Sequence, residues 1–347
     1  MARRPQTTGS IRSQIECARS CSRSPWFAGV ASNPRSPALD GYRGALALAV
    51  VATHLFDLHT GLGSAAVVGF FGLSGMLLAR PRGTLAGFLR RRAARTLPLY
   101  GVLLASLSAT GPVQWVAWIP PLAWMQADAT DMPRFALAPV WSLGVEETAY
   151  LLLPLLAGSR ARLGLAWLAA VAAGVWARGH LAPAAAYHFG PGRLDAILLA
   201  ALLTQVPAVR PLLRAATPWL AGAIVGGLAW GVVSWHSPIL PVAAAGLALG
   251  LRDGDWPALG WALSARPLVW VGIRSYGVYL LHAPIMEAMP HARPWAVLAV
   301  TLAAAAVSWR WLEGPILRAA QRTASRSPAM LSVIAGGAVC KNHLIRT

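Results

Sequence analysis

Long apolar runs separated by short polar breaks dominate the chain. Ten stand out, at about 39–58, 62–79, 96–111, 138–157, 162–178, 193–207, 217–235, 237–251, 267–289 and 294–312. Several fall short of the roughly 20 residues that a straight helical span prefers. Together they predict an all-α polytopic membrane protein, a bundle of about ten transmembrane helices. The stretch 112–137 is rich in Pro and Trp and reads as interfacial or re-entrant. No repeat relates the two halves. Residues 1–37, rich in Arg, Ser and Pro, have no apolar run and read as a disordered basic tail. Residues 319–347 read as a C-terminal tail, since the apolar stretch 329–340 is too short to span a core about 30 Å thick. The transmembrane domain is thus expected at 38–318.

Composition strengthens this picture. Of 347 residues 56% are hydrophobic and 12% charged, and mean hydropathy is +0.53. Soluble domains carry about a quarter charged residues, so composition argues against an ordinary soluble enzyme. The net charge of +18 comes from 29 arginines and a single lysine, Lys341, against 12 acids. Nucleic acid is not an expected partner, because the basic residues lie between apolar runs and form no stripe on a polar domain. Membrane topology accounts for them. With the N-terminus inside and strict alternation, 23 basic residues fall on the inner side. Only Arg134, Arg178 and Arg293 fall outside, while Arg43, Arg193, Arg274 and Arg310 lie in or at the edges of spans. This asymmetry favours a multi-pass protein of the cell membrane with both termini cytoplasmic. Cys17, Cys21 and Cys340 all lie in the tails, so neither a disulfide framework nor a cysteine metal site is implied, and no metal is expected.

Charged groups within spans cost roughly 2.5–3.5 kcal/mol at mid-bilayer on insertion scales, so they face partners or a wet cavity. In the first span Arg43 and His54 are eleven positions apart. That spacing is about 20° past three full helical turns and about 16 Å along the axis, so both share one stripe. Asp40, one turn before Arg43, is a candidate partner for it. Read blandly, Arg43 snorkels to headgroups and His54 is a packing residue. Ser74 lies in Phe70-Phe-Gly-Leu-Ser-Gly, where small residues permit close helix packing. Arg92 and Arg95 are spaced i,i+3 and point the same way, as an anchor at the inner face or as a clamp for a phosphate-bearing ligand. Trp141-Ser-Leu-Gly-Val-Glu146-Glu147-Thr-Ala-Tyr150 puts two adjacent acids in an apolar run. They point in different directions, so at most one shares the cavity stripe, and Glu146 is the favoured one. Arg193 and Asp195, at i,i+2, do not face each other and each needs a partner elsewhere. Tyr276, Tyr279 and His282 fall at i, i+3 and i+6.

In order along the chain, Asp-Gly-Tyr-Arg43 with His54, Phe-Phe-Gly-Leu-Ser74-Gly, Arg92-Ala-Ala-Arg95 before Pro98, Trp141-Ser-Leu-Gly-Val-Glu146 ending in Tyr150, Arg193-Leu-Asp195, Ser-Tyr-Gly-Val-Tyr279-Leu-Leu-His282 and Trp-Leu-Glu313-Gly-Pro315 resemble the acyltransferase-3 family of integral-membrane acyltransferases. Tyr42, Ala149 and Gly314 depart from the usual pattern without removing a chemical group. The resemblance implies a ten-helix bundle that moves an acyl group, acetyl by default, from acyl-CoA to a hydroxyl of a carbohydrate or a glycosylated metabolite. It implies acyl-CoA as co-substrate with no other cofactor, and the lipid bilayer and a glycan-type acceptor as partners. It also implies that Arg43 and His54 belong to the essential site. On this reading Arg92 and Arg95 hold the acyl-CoA phosphates, His54 is the general base and Glu146 orients it. Ser74, Trp141, Tyr150, Arg193, Asp195, Tyr279 and His282 are further pocket candidates. The competing class is a proton-coupled transporter or flippase, in which Glu146, Asp195 and His282 form a relay.

Overall fold

The computed structural model describes residues 36–58, 61–80, 83–128, 135–229 and 239–322, and among them every regular element is helical. Residues 1–35 and 323–347, with Cys17, Cys21 and Cys340, lie outside the described residues, whereas Pro37 and residues 319–322 of the expected tails are helical. The helices are α1 (Pro37–Leu55), α2 (Leu62–Leu78), α3 (Leu85–Ser108), α4 (Val140–Leu156), α5 (Arg160–His180), α6 (Pro183–His188) and α7 (Gly190–Gln205). They continue as α8 (Arg210–Ala229), α9 (Ile239–Asp253), α10 (Pro257–Leu263), α11 (Arg266–Ile273), α12 (Ser275–Ala288) and α13 (Pro294–Ser308). A π-helical turn at Trp309–Glu313 carries α13 on to Arg322. The Pro- and Trp-rich stretch forms 3₁₀ turns at Trp115–Trp118, Pro120–Asp128 and Phe135–Leu137.

Each of the ten apolar segments contains a helix, with two instructive shifts. The helix expected from residue 96 begins at Leu85, because Thr84 caps it (Gly87 N–H to Thr84 Oγ1, 3.1 Å) and Arg and Ala are strong helix formers. Arg90 to Arg95 are therefore helical residues within α3. The segment 267–289 breaks at Arg274, which leaves helical geometry (φ −104°, ψ 7°) and separates α11 from α12.

The expected bundle of about ten transmembrane helices is not confirmed by helix length and hydropathy. Among the described residues one continuous helix, Pro294–Arg322, is long and apolar enough to cross a membrane. A second candidate is the pair Pro183–Gln205 and Pro207–Gly227, bent by 98°. The reason is geometric and chemical. A helix such as α2, with 17 residues, is only about 25 Å long, and the arginines of α3 lower the hydropathy of its 24 residues. The outer surface is nonetheless strongly apolar, with Trp219 and Trp261 each 82% exposed and Trp311 75% exposed.

Close approach of backbones holds the site-bearing helices. Gly41 and Gly44 sit one turn apart on α1, against α10 and α11. A Cβ on Gly41 would collide with the Leu263 carbonyl, one on Gly44 with the Leu268 carbonyl, and one on Gly272 with the Asp40 carbonyl. Arg43 lies about 130° round the helix from the Gly41–Gly44 edge and so faces away from this contact. α2 is packed between α7, α9 and α1, and a Cβ on Gly75 would strike the Ile197 carbonyl. In an apolar solvent such small-residue contacts, rather than transfer of apolar surface from water, hold helices together. Ala47, Val51, Val271, Val278 and Ala305 form the core shared by α1, α11, α12 and α13.

Candidate active site

A cavity of about 80 Å³, room for several water-sized groups, opens between α1, α2, α3, α4 and α12. Its polar lining is Arg43 from α1, Ser74 from α2, Arg92, Arg95 and Thr96 from α3, Ser142, Glu146 and Tyr150 from α4, and Ser275, Tyr276 and Tyr279 from α12. Phe70, Phe71 and Leu143 supply apolar wall, and Leu77, 46% exposed, stands where the cavity meets the surface.

Hydrogen bonds fix the wall in place. Glu146 is engaged at both oxygens: Ser74 Oγ donates to Oε1 at 2.8 Å and the Tyr150 hydroxyl donates to Oε2 at 2.8 Å. Ser142 donates to the Pro139 carbonyl at 3.1 Å, and a serine has a single proton, so Tyr279 donates to Ser142 Oγ at 2.6 Å. Tyr276 donates to the Thr96 carbonyl at 2.6 Å, which ties α12 to the arginine-bearing turn of α3.

The cations are treated differently. Arg43 and Arg95 have no hydrogen bond or ion pair among the described residues. Arg92 rests its guanidinium on the rings of Phe88 (6.0 Å) and Tyr150 (5.8 Å), and its buried Nε has no hydrogen-bond partner. Three guanidiniums thus share a small cavity with one carboxylate, which is already engaged by two hydroxyls. The second acid, Glu147, is not part of this lining. Such an arrangement is complementary to an anion of at least two charges, and the guanidinium fork suits phosphate oxygens.

His54 and His282 lie outside the cavity lining, and the expected partnership of Glu146 with His54 is not formed. Both Glu146 oxygens turn to Ser74 and Tyr150, whereas His54 Nδ1 lies 2.9 Å from His282 Nε2. The reason is a matter of ends: Glu146 lies beside Ser74 and the arginines, and His54 is three turns further along α1. Tyr279 stands between the two sets. Its hydroxyl faces the cavity, its ring meets Phe70 edge-on at 6.0 Å, and its ring centre is 5.9 Å from that of His282.

Three other candidates are structural neighbours rather than cavity walls. Trp141 packs edge-on against Phe71, Tyr187 and His188. Arg193 Nε donates to the Tyr187 carbonyl at 2.7 Å and the guanidinium covers that ring at 4.6 Å, which braces the α6–α7 corner. Asp195 Oδ1 accepts the Ala196 N–H at 2.6 Å. Conversely, Thr96, Ser142, Ser275 and Tyr276 line the cavity without being among the expected pocket residues. Two had a readable signal: Ser142 is one turn before Glu146, and Tyr276 is one turn before Tyr279. Glu313 is buried in the π-helical turn, where Ser308 donates to Oε1 at 2.7 Å and Oε2 has no hydrogen-bond partner. Among the described residues no group of three metal-ligating side chains occurs.

The described residues thus form an all-helical unit with an arginine-lined polar cavity. Residues 36–312 match the family model for the acyltransferase domain, and the chain belongs to the acyltransferase-3 family. It is therefore an enzyme that transfers acyl groups other than amino-acyl groups. No curated protein and no solved structure matches it significantly.

Proposed function

We propose that this acyltransferase takes a short acyl group, acetyl in the simplest case, from acyl-CoA and passes it to a hydroxyl of a carbohydrate or glycosylated metabolite. The observation that carries the proposal is the trio Arg43, Arg92 and Arg95, in no ion pair with a carboxylate among the described residues and facing one cavity. Acyl-CoA is a soluble polyanion with its phosphates at one end and its thioester at the other. The arginines hold the phosphates, and the thin pantetheine arm runs past Tyr279 toward His54.

At the reacting end His54 takes the proton of the acceptor hydroxyl as its oxygen attacks the thioester carbonyl carbon. The C–S bond then breaks and the protonated imidazole returns the proton to the thiolate. General-base catalysis of this kind contributes roughly 10²–10⁴-fold. Direct transfer uses no enzyme nucleophile. Glu146 organises the arginine end by holding Ser74 and Tyr150 and by balancing part of the positive charge.

The proposed setting is the cell membrane, with multiple passes and both termini cytoplasmic. Support comes from the 23-to-3 distribution of basic residues and from the bare tryptophans on the outer surface. Two loops assigned to the same side are also joined, Arg210 to Asp253 at 3.6 Å and Arg214 to Asp255 at 3.5 Å. The test uses purified protein in lipid nanodiscs with labelled acetyl-CoA and a panel of glycoside acceptors. Free CoA appears only with a competent acceptor, and His54→Ala and Arg43→Ala abolish it while protein still accumulates. Near-normal transfer by His54→Ala overturns the base assignment.

A further inference from the structure

The His54–His282 contact carries more than packing. The two imidazole planes are 8° apart and their centres 5.0 Å apart, with the ring nitrogens at 2.9 Å. The centre-to-centre distance exceeds the N···N distance by about two ring radii. The rings are therefore edge to edge in a common plane, the geometry of an in-line hydrogen bond and not of face-to-face stacking.

The proton positions follow from the partners. His282 Nδ1 bonds the Tyr279 carbonyl, one turn earlier on the same helix. A carbonyl only accepts, so His282 Nδ1 carries the hydrogen. In a neutral imidazole the other nitrogen is then bare, and His282 Nε2 accepts from His54 Nδ1–H. That assignment leaves His54 Nε2 without a proton. The Phe135 ring stands edge-on to His54 at 5.6 Å and limits its rotation. His282 is fully buried, whereas His54 is exposed, so the exposed ring rests on an enclosed support.

We infer that His282 is a positioning residue that locks His54 in the Nδ1–H tautomer and so keeps Nε2 available as the base. The inference rests on the proposal that His54 takes the acceptor proton. It assigns α12 two linked tasks through one residue, because Tyr279 reaches the arginine cavity with its hydroxyl and orders His282 with its carbonyl. A purely structural histidine would need only its own two hydrogen bonds satisfied. It would have no bearing on which nitrogen of a neighbour is protonated.

Three substitutions separate these roles. His282→Gln retains an acceptor at the reach of Nε2. His282→Asn can still meet the Tyr279 carbonyl but falls short of His54, and His282→Leu offers neither group. All are compared in nanodiscs, with accumulation and CoA binding checked first. Histidine ¹⁵N spectra, with the His54 signals identified by their loss in His54→Ala, need no acceptor. His54 Nε2 is expected in the unprotonated range in the wild type and in His282→Gln. A mixture of tautomers is expected in His282→Asn and His282→Leu. With a working glycoside acceptor, kcat falls roughly 10²-fold or more in His282→Leu and His282→Asn at unchanged KM for acetyl-CoA, and recovers to within about tenfold of wild type in His282→Gln. A wild-type tautomer pattern in His282→Asn overturns the inference. So does kcat within about threefold of wild type in His282→Leu, or equal loss in Gln and Asn variants. Full activity of His54→Ala instead overturns the base assignment itself, an outcome distinct from all of these.

Discussion

Ser74 and Glu146, 72 positions apart in sequence, meet in a hydrogen bond of 2.8 Å at the wall of the arginine cavity. A hydrogen bond to a charged group contributes about 1.5–3 kcal/mol, so Ser74→Ala should lower unfolding stability in detergent by about that amount. Glu146→Gln should cost at least as much, because both Ser74 and Tyr150 lose a charged acceptor. It should also bind CoA more tightly, since the cavity's sole carboxylate has gone. Calorimetry with CoA checks the second point, and weaker binding by Glu146→Gln would count against the charge balance described above.

The arginines should show the opposite trade. Arg95→Gln relieves repulsion among three neighbouring guanidiniums, so the unliganded protein should melt later than wild type. The same variant should bind CoA about 10- to 100-fold more weakly, the equivalent of about 1.4–2.8 kcal/mol. Arg95→Lys keeps the charge but not the fork and should fall between the two. Thermal unfolding and titration with CoA, done side by side, read both effects.

Backbone contact on α1 gives a contrast between glycines. Gly41→Ala drives a methyl group into the Leu263 carbonyl and should destabilise by several kcal/mol or prevent accumulation, beyond the 1–3 kcal/mol typical of overpacking. Gly101→Ala on α3 meets nothing within 4 Å and replaces a poor helix former by the best one. It should be neutral or stabilising by up to about 1 kcal/mol. Membrane yield and melting temperature distinguish them.

Topology is open to labelling. After replacement of Cys17, Cys21 and Cys340 by serine, single cysteines at Ala208→Cys and His291→Cys probe two exposed loops on opposite proposed sides. A membrane-impermeant thiol reagent applied to intact cells should modify His291→Cys and spare Ala208→Cys until the membrane is opened. The reverse pattern would invert the orientation.

Much of the site could be read from local periodicity. The eleven-residue interval in α1 put Arg43 and His54 on one stripe, and the i, i+3, i+6 pattern of Tyr276, Tyr279 and His282 put three polar groups on one face of α12. Those are properties of a single helix and need no tertiary knowledge. What each group touches is decided between helices, where spacing is silent. Glu146 turned to Ser74 rather than His54, and His54 turned to His282, 228 positions away. The break at Arg274 also escaped the hydropathy pattern, because apolar residues continue on both sides of it. Arg193 and Asp195 look functional by charge alone, yet their contacts brace a corner and a helix start.

The glycine contact between α1 and α11 has a mechanical consequence. α11 leads into α12 through the single residue Arg274, so the helix bearing His54 and the helix bearing His282 form one stiff frame. Ser74, Arg92, Arg95 and Glu146 are carried by α2, α3 and α4, outside that frame. The proposed base and the residue that positions it are therefore carried on one support, and hydrogen bonds from Tyr276 to Thr96 and from Tyr279 to Ser142 link that support to the helices of the arginine end.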